Sequence, residues 1–341
     1  MVQKKGFDSA KYYTAELAAI KERATHFDRL YLEVGGKLLN DTHAKRVLPG
    51  YDPRAKLKLM MKLKDNCELI YCISASELEE QTIWFEGNCK IEDIILENIS
   101  MIKKKGIKIT AIVLSRFSGQ KKAKEFAGLA RKKGFDVYFT KNIPGYPMDL
   151  KAIFGKKGFD AQPYIETSKR IVIVTAHGAN AGKMFLCLSQ IYHDNKLKLK
   201  SGYAKIETFP IWNLPLHHPV NLAYEAATAD IADYVMQDPY YASAYHKKAV
   251  NYNRDVEGFK VLKRIIKIII PKSNYMHSYK SPTDMGINMA KKGIVNDKVV
   301  FDAGLAEILH RKSEYSKDLK GKERTEVLAR IEKIMKKAGL K

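Results

Sequence analysis

The stretch Arg170-Ile-Val-Ile-Val-Thr-Ala-His-Gly-Ala-Asn-Ala-Gly-Lys-Met184 constrains the fold more than any other part of the chain. Ile171 to Val174 is an unbroken β-branched run, the composition of a strand buried on both faces. A turn of small residues follows, with Gly178 and Gly182, and a helix opens at Lys183. Its apolar residues Met184, Cys187, Leu188 and Ile191 recur at i, i+3, i+4 and i+7. Glycines let backbone N–H groups approach an anion, a helix N-terminus attracts it, and a lysine adds charge. The turn is therefore expected to bind phosphate through Thr175, Gly178, Asn180, Gly182 and Lys183, with His177 also able to face the anion. It departs from the nucleotide-binding P-loop pattern in two ways. Three residues, not four, separate Gly178 from Gly182, and Met184 stands where a magnesium-binding hydroxyl belongs. A βα turn whose glycines serve packing alone is the competing reading.

Elsewhere strands and amphipathic helices alternate. Strands are expected at 30–34, 68–74, 107–114, 137–140 and 203–209, with helices at 8–25, 55–64, 91–105, 120–133, 219–233, 255–270 and 323–338. This predicts an α/β fold of mostly parallel sheets with flanking helices, followed by a more helical C-terminal part. Pro144-Gly145-Tyr146-Pro147 and Gly155-Lys-Lys-Gly158 suggest a boundary, giving an α/β domain over 1–160 and a second one over 161–341.

The formal charge of +22 on 341 residues invites a nucleic-acid reading. The 60 basic residues are 48 lysines and 12 arginines, however, and arginine is the residue that reads bases and grips phosphates bidentately. Nucleic acid is accordingly the weakest of three partner classes. No apolar stretch is long enough to span a bilayer, and the N-terminal residues lack the apolar core of a signal peptide, so a cytoplasmic location is expected. Cys67, Cys72, Cys89 and Cys187 form no CxxC pair and are expected to be reduced thiols outside any metal site.

The distribution of charge is more informative than its sum. From Ile206 to His246 there is no lysine or arginine, yet Glu207, Glu225, Asp230, Asp233 and Asp238 all occur. Buried acids must be paired or functional. Glu207 is placed on the strand after the lysine turn, where a carboxylate can hold magnesium or act as a base. Asn221, Glu225 and Thr228 form one polar stripe on a helix started by Pro219, with His217 and His218 before it. His218 and Glu225 join Lys183 and Glu207 as catalytic candidates. A metal site from His218, Glu225 and Asp230 lacks the i, i+4 histidine spacing. Substrate contacts are expected from Lys37, His43 and Arg46 after the first strand, and from Asn213, Asn221, Arg254, Thr283 and Asp284.

Several stretches together resemble the uncharacterised bacterial family known as domain of unknown function 1846. They are Leu32-Glu-Val-Gly-Gly-Lys37, His43 to Pro49, Tyr164-Ile-Glu-Thr167, Gly182-Lys-Met184, Lys205 to Asn213, His218 to Thr228 and Lys280 to Gly286. The resemblance covers essentially the whole chain. It implies a soluble cytoplasmic α/β protein and brings no established activity. Members of that family usually carry prolines where this chain has His177 and Ala179, glycine at Asn180 and serine at Ala181. They also run longer, which implies a further C-terminal part with a role in assembly. The residues thus point first to an enzyme that binds a nucleotide or phosphorylated metabolite, with magnesium, and carries out phosphoryl transfer or ATP-dependent ligation. The alternative is a non-catalytic homo-oligomeric assembly or ligand-sensing protein.

Overall fold

The computed structural model describes residues 5–80, 90–178 and 180–340. Its centre is a seven-stranded sheet in which every neighbouring pair is parallel. The strands are β1 (Arg29–Val34), β2 (Cys67–Ser74), β3 (Lys108–Ser115), β4 (Val137–Phe139), β5 (Ile171–Ala176), β6 (Ser201–Ile206) and, at the edge, β9 (Gly286–Ile287). A separate antiparallel ribbon pairs β7 (Val235–Gln237) with β8 (Val250–Tyr252). Every residue of β2, β5 and β6 is buried, as expected when helices cover both faces of a parallel sheet. The α/β class, the flanking helices and the helical C-terminal part are thus as the sequence predicts.

The strand order is β4-β3-β2-β5-β1-β6-β9. Strands from 1–160 and from 161–341 therefore interleave in one sheet, where two separate α/β units were expected. β5 lies between β1 and β2, so the segment between β4 and β5 is a connection back into the middle of the sheet. The chain leaves β1 toward β2 and leaves β5 toward β6, in opposite directions across the sheet. Right-handed crossovers of opposite sense carry their helices to opposite faces and open a crevice at the strand ends, where ligands of α/β folds bind. The two turns on either side of that crevice are Gly35-Gly36-Lys37 and the 177–182 turn.

Three elements differ from expectation. β6 ends at Ile206, so Glu207 sits one residue past the strand and not within it. The helix begun by Pro219 stops at Ala227, where Thr228 caps it. The longest helix among the described residues, Asp297–Asp318, was not expected. It buries Val300, Gly304, Glu307 and Ile308, a face too polar to register as an apolar stripe. Gly304 lets this helix pack against the start of the Pro219–Ala227 helix: a Cβ there would lie 2.6 Å from the Pro219 carbonyl carbon. Cys67, Cys72 and Cys187 are buried free thiols, and Cys89 lies outside the described residues. Among the described residues no helix is long and apolar enough to cross a membrane.

Candidate functional site

The site is built at the C-terminal ends of β5, β1 and β6. After β5 the chain turns through Asn180 and Gly182, both in the left-handed region at φ 56° and 74°. Ser115 at the end of β3 donates to the Ala181 carbonyl at 2.9 Å and pins the turn. The Lys183–Lys196 helix then starts with Gly182 as its N-cap and no side-chain cap. Its first N–H groups are therefore left without the usual capping acceptor. Thr175 is fully buried at the end of β5, and its Oγ1 has no hydrogen-bond partner among the described residues. Gly178 faces a carboxylate, since a Cβ there would lie 3.1 Å from Glu77 Oε1.

Lys183 folds inward. Its Nζ is 3.9 Å from Glu33 Oε1 at the end of β1, and the Tyr203 hydroxyl of β6 donates to Glu33 Oε2 at 2.8 Å. The register explains the meeting: Glu33 pairs with Val174 on one side and with Lys205 on the other. On β6, Lys205 is almost fully buried between Glu207 Oε1 at 3.0 Å and Asp255 Oδ2 at 2.8 Å. Burial pushes the Glu207 carboxyl up from its ordinary value; Lys205 pulls it back, and the Asp255 charge raises it again. The Glu207 side chain packs directly on Gly35, where a Cβ would stand 2.6 Å from its Cγ. Gly36, at φ 65°, completes that turn, and buried Lys56 anchors it by donating to the Gly35 carbonyl (2.8 Å) and to Asp41 Oδ2 (3.1 Å). Lys37 is exposed on the same turn. Burial and the Lys37 charge hold His177 below the ordinary imidazole range.

The Asn253–Ile269 helix closes the site from the side. Arg254 donates to Asn180 Oδ1 at 3.4 Å and pairs with Asp233 Oδ2 at 2.9 Å. The next residue, Asp255, turns to Lys205. A cleft opens beside this pair, lined among others by Lys205, Glu207, Trp212, Asn251, Asp255 and Thr283. Thr283 donates to Asp238 Oδ2 (2.7 Å) and receives from Asn251 Nδ2 (3.2 Å). Lys183, Glu207, Arg254, Thr283 and the turn residues are therefore gathered around the strand ends.

Other candidates are elsewhere and already occupied. His43 and Arg46 both bind Glu307: His43 Nδ1 at 2.9 Å, Arg46 Nε at 2.6 Å and its Nη2 at 2.9 Å. They clamp the short Thr42–Val47 helix to the Asp297–Asp318 helix. His218 is the N-cap of its helix, with Nδ1 accepting from Val220 N at 3.3 Å and Nε2 lying 3.4 Å from Asp297. Glu225 accepts from Lys337 Nζ at 2.7 Å. Asn221 braces the preceding loop, accepting from Ile211 N at 2.8 Å. Asn213 is exposed, and its carbonyl accepts from Lys291. Asp284 forms a capping box with Ser281. These seven residues thus make contacts that join helices, cap them or brace the loop before the Pro219–Ala227 helix. Among the described residues no group of three or more His, Cys, Asp or Glu side chains is arranged to hold a metal ion.

Residues that sequence reasoning left out of the site are Glu33, Tyr203, Asp255, Asp233 and Tyr224. Tyr224 is the residue by which the Pro219–Ala227 helix reaches this region: its ring lies 5.0 Å from that of Tyr252, and burial together with the Glu207 charge pushes its phenol up. Glu33 and Asp255 had a usable signal, the first a carboxylate two residues before a glycine turn and the second the neighbour of Arg254.

The family model described as domain of unknown function DUF1846, N-terminal, matches residues 5–339. The chain belongs to this family. It is 44% identical over 337 residues to UPF0371 proteins of Clostridium botulinum strains Alaska E43 (Type E3) and Eklund 17B (Type B), covering 98% of this chain and 66% of each relative. A third relative, the UPF0371 protein of strain ATCC 19397 (Type A), is 44% identical over 340 residues with the same coverage. The chain thus spans just under two-thirds of the length of these curated relatives.

Proposed function

We propose that the strand-end site binds the phosphate of a nucleotide or phosphorylated metabolite at the 175–184 turn, in an enzyme of phosphoryl transfer or ATP-dependent ligation. One observation carries this reading: an uncapped helix N-terminus begins at Lys183, directly at the crevice between β1 and β5, and Arg254 reaches across to the same turn. Backbone N–H groups and a helix dipole at the turn, with Lys183 as its first helical residue and Arg254 bonded to Asn180, suit an anion with several oxygens. Lys183 stabilises the phosphate charge in exchange for its long contact with Glu33. Glu207, held above its ordinary carboxyl range, accepts a proton from the second substrate or adds one ligand to a magnesium ion held mainly by phosphate and water.

Calorimetric titration with ATP, ADP and inorganic phosphate tests this. Binding by the parent and a loss of at least about tenfold in Lys183→Ala is expected, since each 1.4 kcal/mol of lost contact is one factor of ten. Absence of binding by the parent, or an unchanged affinity in the variant, sinks it.

A further inference from the structure

The cleft beside the turn has its own chemistry. Its cavity volume is about 40 Å³, far below that of a drug-sized ligand site and room only for a molecule of a few heavy atoms. The charged groups on its lining are Glu207 and Asp255 against Lys205, one carboxylate in excess. Its walls include Phe209, Trp212 and Met285, and its rim carries Asn251 and Thr283 already fixed to each other and to Asp238. Two carboxylates sharing one lysine in a largely buried place leave an anion under-compensated, which is costly unless a further cation joins them. Aromatic walls favour an ammonium over an anion as that cation's partner surface. The rim offers hydrogen bonds to a second polar group a few bonds away.

We infer that this cleft is a binding site for a small primary amine carrying a hydroxyl or carbonyl group, seated on Glu207 and Asp255 with its second polar group at Asn251 and Thr283. Arg254 and Asp255 are neighbours that face the turn and the cleft respectively, so an amine here lies alongside whatever the turn holds. The site shares Glu207 with the phosphate reading but not Lys183, and the two readings fail separately: the amine is held by carboxylates that Lys183 does not touch.

Trp212 supplies the reporter. The chain has two tryptophans, and Trp84→Phe leaves Trp212 as the single indole, whose Nε1–H donates to the Asn288 carbonyl at 3.0 Å on the cleft wall. The indole N–H resonance is followed while the intact chain is titrated with ethanolamine, ethylene glycol and glycolate, three probes of one size and different charge. Ethanolamine is expected to shift the resonance saturably, and the other two are not. Asp255→Asn should weaken ethanolamine about tenfold or more, as loss of a buried charge partner does. Asp255→Asn also removes a partner of buried Lys205, so Asn251→Leu, at a half-buried position, provides a second test with an expected loss of about threefold. Lys183→Ala should leave ethanolamine binding unchanged, which separates this site from the phosphate reading. An equal response to glycolate, no saturable response to ethanolamine, or parental affinity in the folded variants overturns the inference.

Discussion

Two regions of the molecule bury charged side chains, and they are built on different plans. In the helical layer, Glu307 is surrounded by His43, Arg46 and Arg311, and Glu225 takes Lys337. Each acid there is held from a neighbouring helix, Glu307 by His43 and Arg46 and Glu225 by Lys337, while Arg311 reaches Glu307 within its own helix. At the strand ends the cations are shared differently: Lys205 between Glu207 and Asp255, Lys183 beside Glu33, Arg254 against Asp233. Those groups stand on strand ends, turns and first helical turns beside a cleft. A buried charge by itself therefore distinguishes nothing. What separates a staple from a site is whether the partners belong to packed helix faces or to chain ends that border open space.

The contrast can be broken most directly at Glu307. Burial opposes its ionisation, but the bonds from His43 and Arg46 overcome it and lower its carboxyl from 4.5 to about 2. Glu307→Gln is expected to cost about 3 kcal/mol at neutral pH, because Arg46 and Arg311 lose a buried counter-charge and His43 a hydrogen-bond partner. A depressed carboxyl stabilises fully above its unfolded value and loses that contribution as pH falls toward the folded one. The gap in urea midpoint between parent and variant should thus narrow below pH 4.5 and close near pH 2. Phosphate affinity of the folded variant should not change. A variant as stable as the parent, or one that stays folded but no longer binds, would dissolve the distinction.

Glu16 supplies the opposite case, a buried acid with no cation bonded to it among the described residues. Its Oε2 accepts from Met289 N at 2.6 Å, and Oε1 has no partner among those residues. Burial raises its carboxyl from 4.5 to about 7. A raised carboxyl costs stability once pH exceeds the unfolded value, and the cost is complete above the folded one. Glu16→Gln should therefore be more stable than the parent by roughly 1–3 kcal/mol above pH 7, with the difference vanishing below pH 5. Thermal unfolding at pH 5 and pH 8 checks the sign.

The smallest effect is expected at Arg254→Lys. The charge opposite Asp233 is kept, so the melting temperature should move by no more than a degree or two. The planar fork that reaches Asn180 is lost, and ATP affinity should fall a few-fold, about 0.5–1 kcal/mol. A change in stability without a change in affinity would move Arg254 into the stapling class.

How far the sequence could be read follows the same division. Parallel strands covered on both faces are continuous apolar runs, so β1, β2, β3 and β5 stand out from composition alone. The lysine turn was legible because its chemistry is local: glycines, a helix start and a lysine within a few residues. Partnership across space was not. Tyr224 and Glu225 are adjacent in sequence but about 100° apart on a helix, so one meets the aromatic group by Glu207 and the other meets Lys337. The acid that occupies His43 and Arg46 lies more than 260 positions away, on a helix whose buried face includes a glycine and a glutamate. β9, two residues long, offers no period to detect.

The insertion of β5 between β1 and β2 has a consequence for assembly in time. Among the described residues β1 pairs only with β5 and β6, and β2 has β5 on one side. A nascent chain that has not yet delivered residues 171–206 holds β1 with no neighbour and β2 with one bare edge. Such edges are templates for wrong pairing, and contacts this far apart in sequence form slowly. The first half of this protein thus waits for the second, and the two glycine turns of the crevice come together only when the sheet closes around β5.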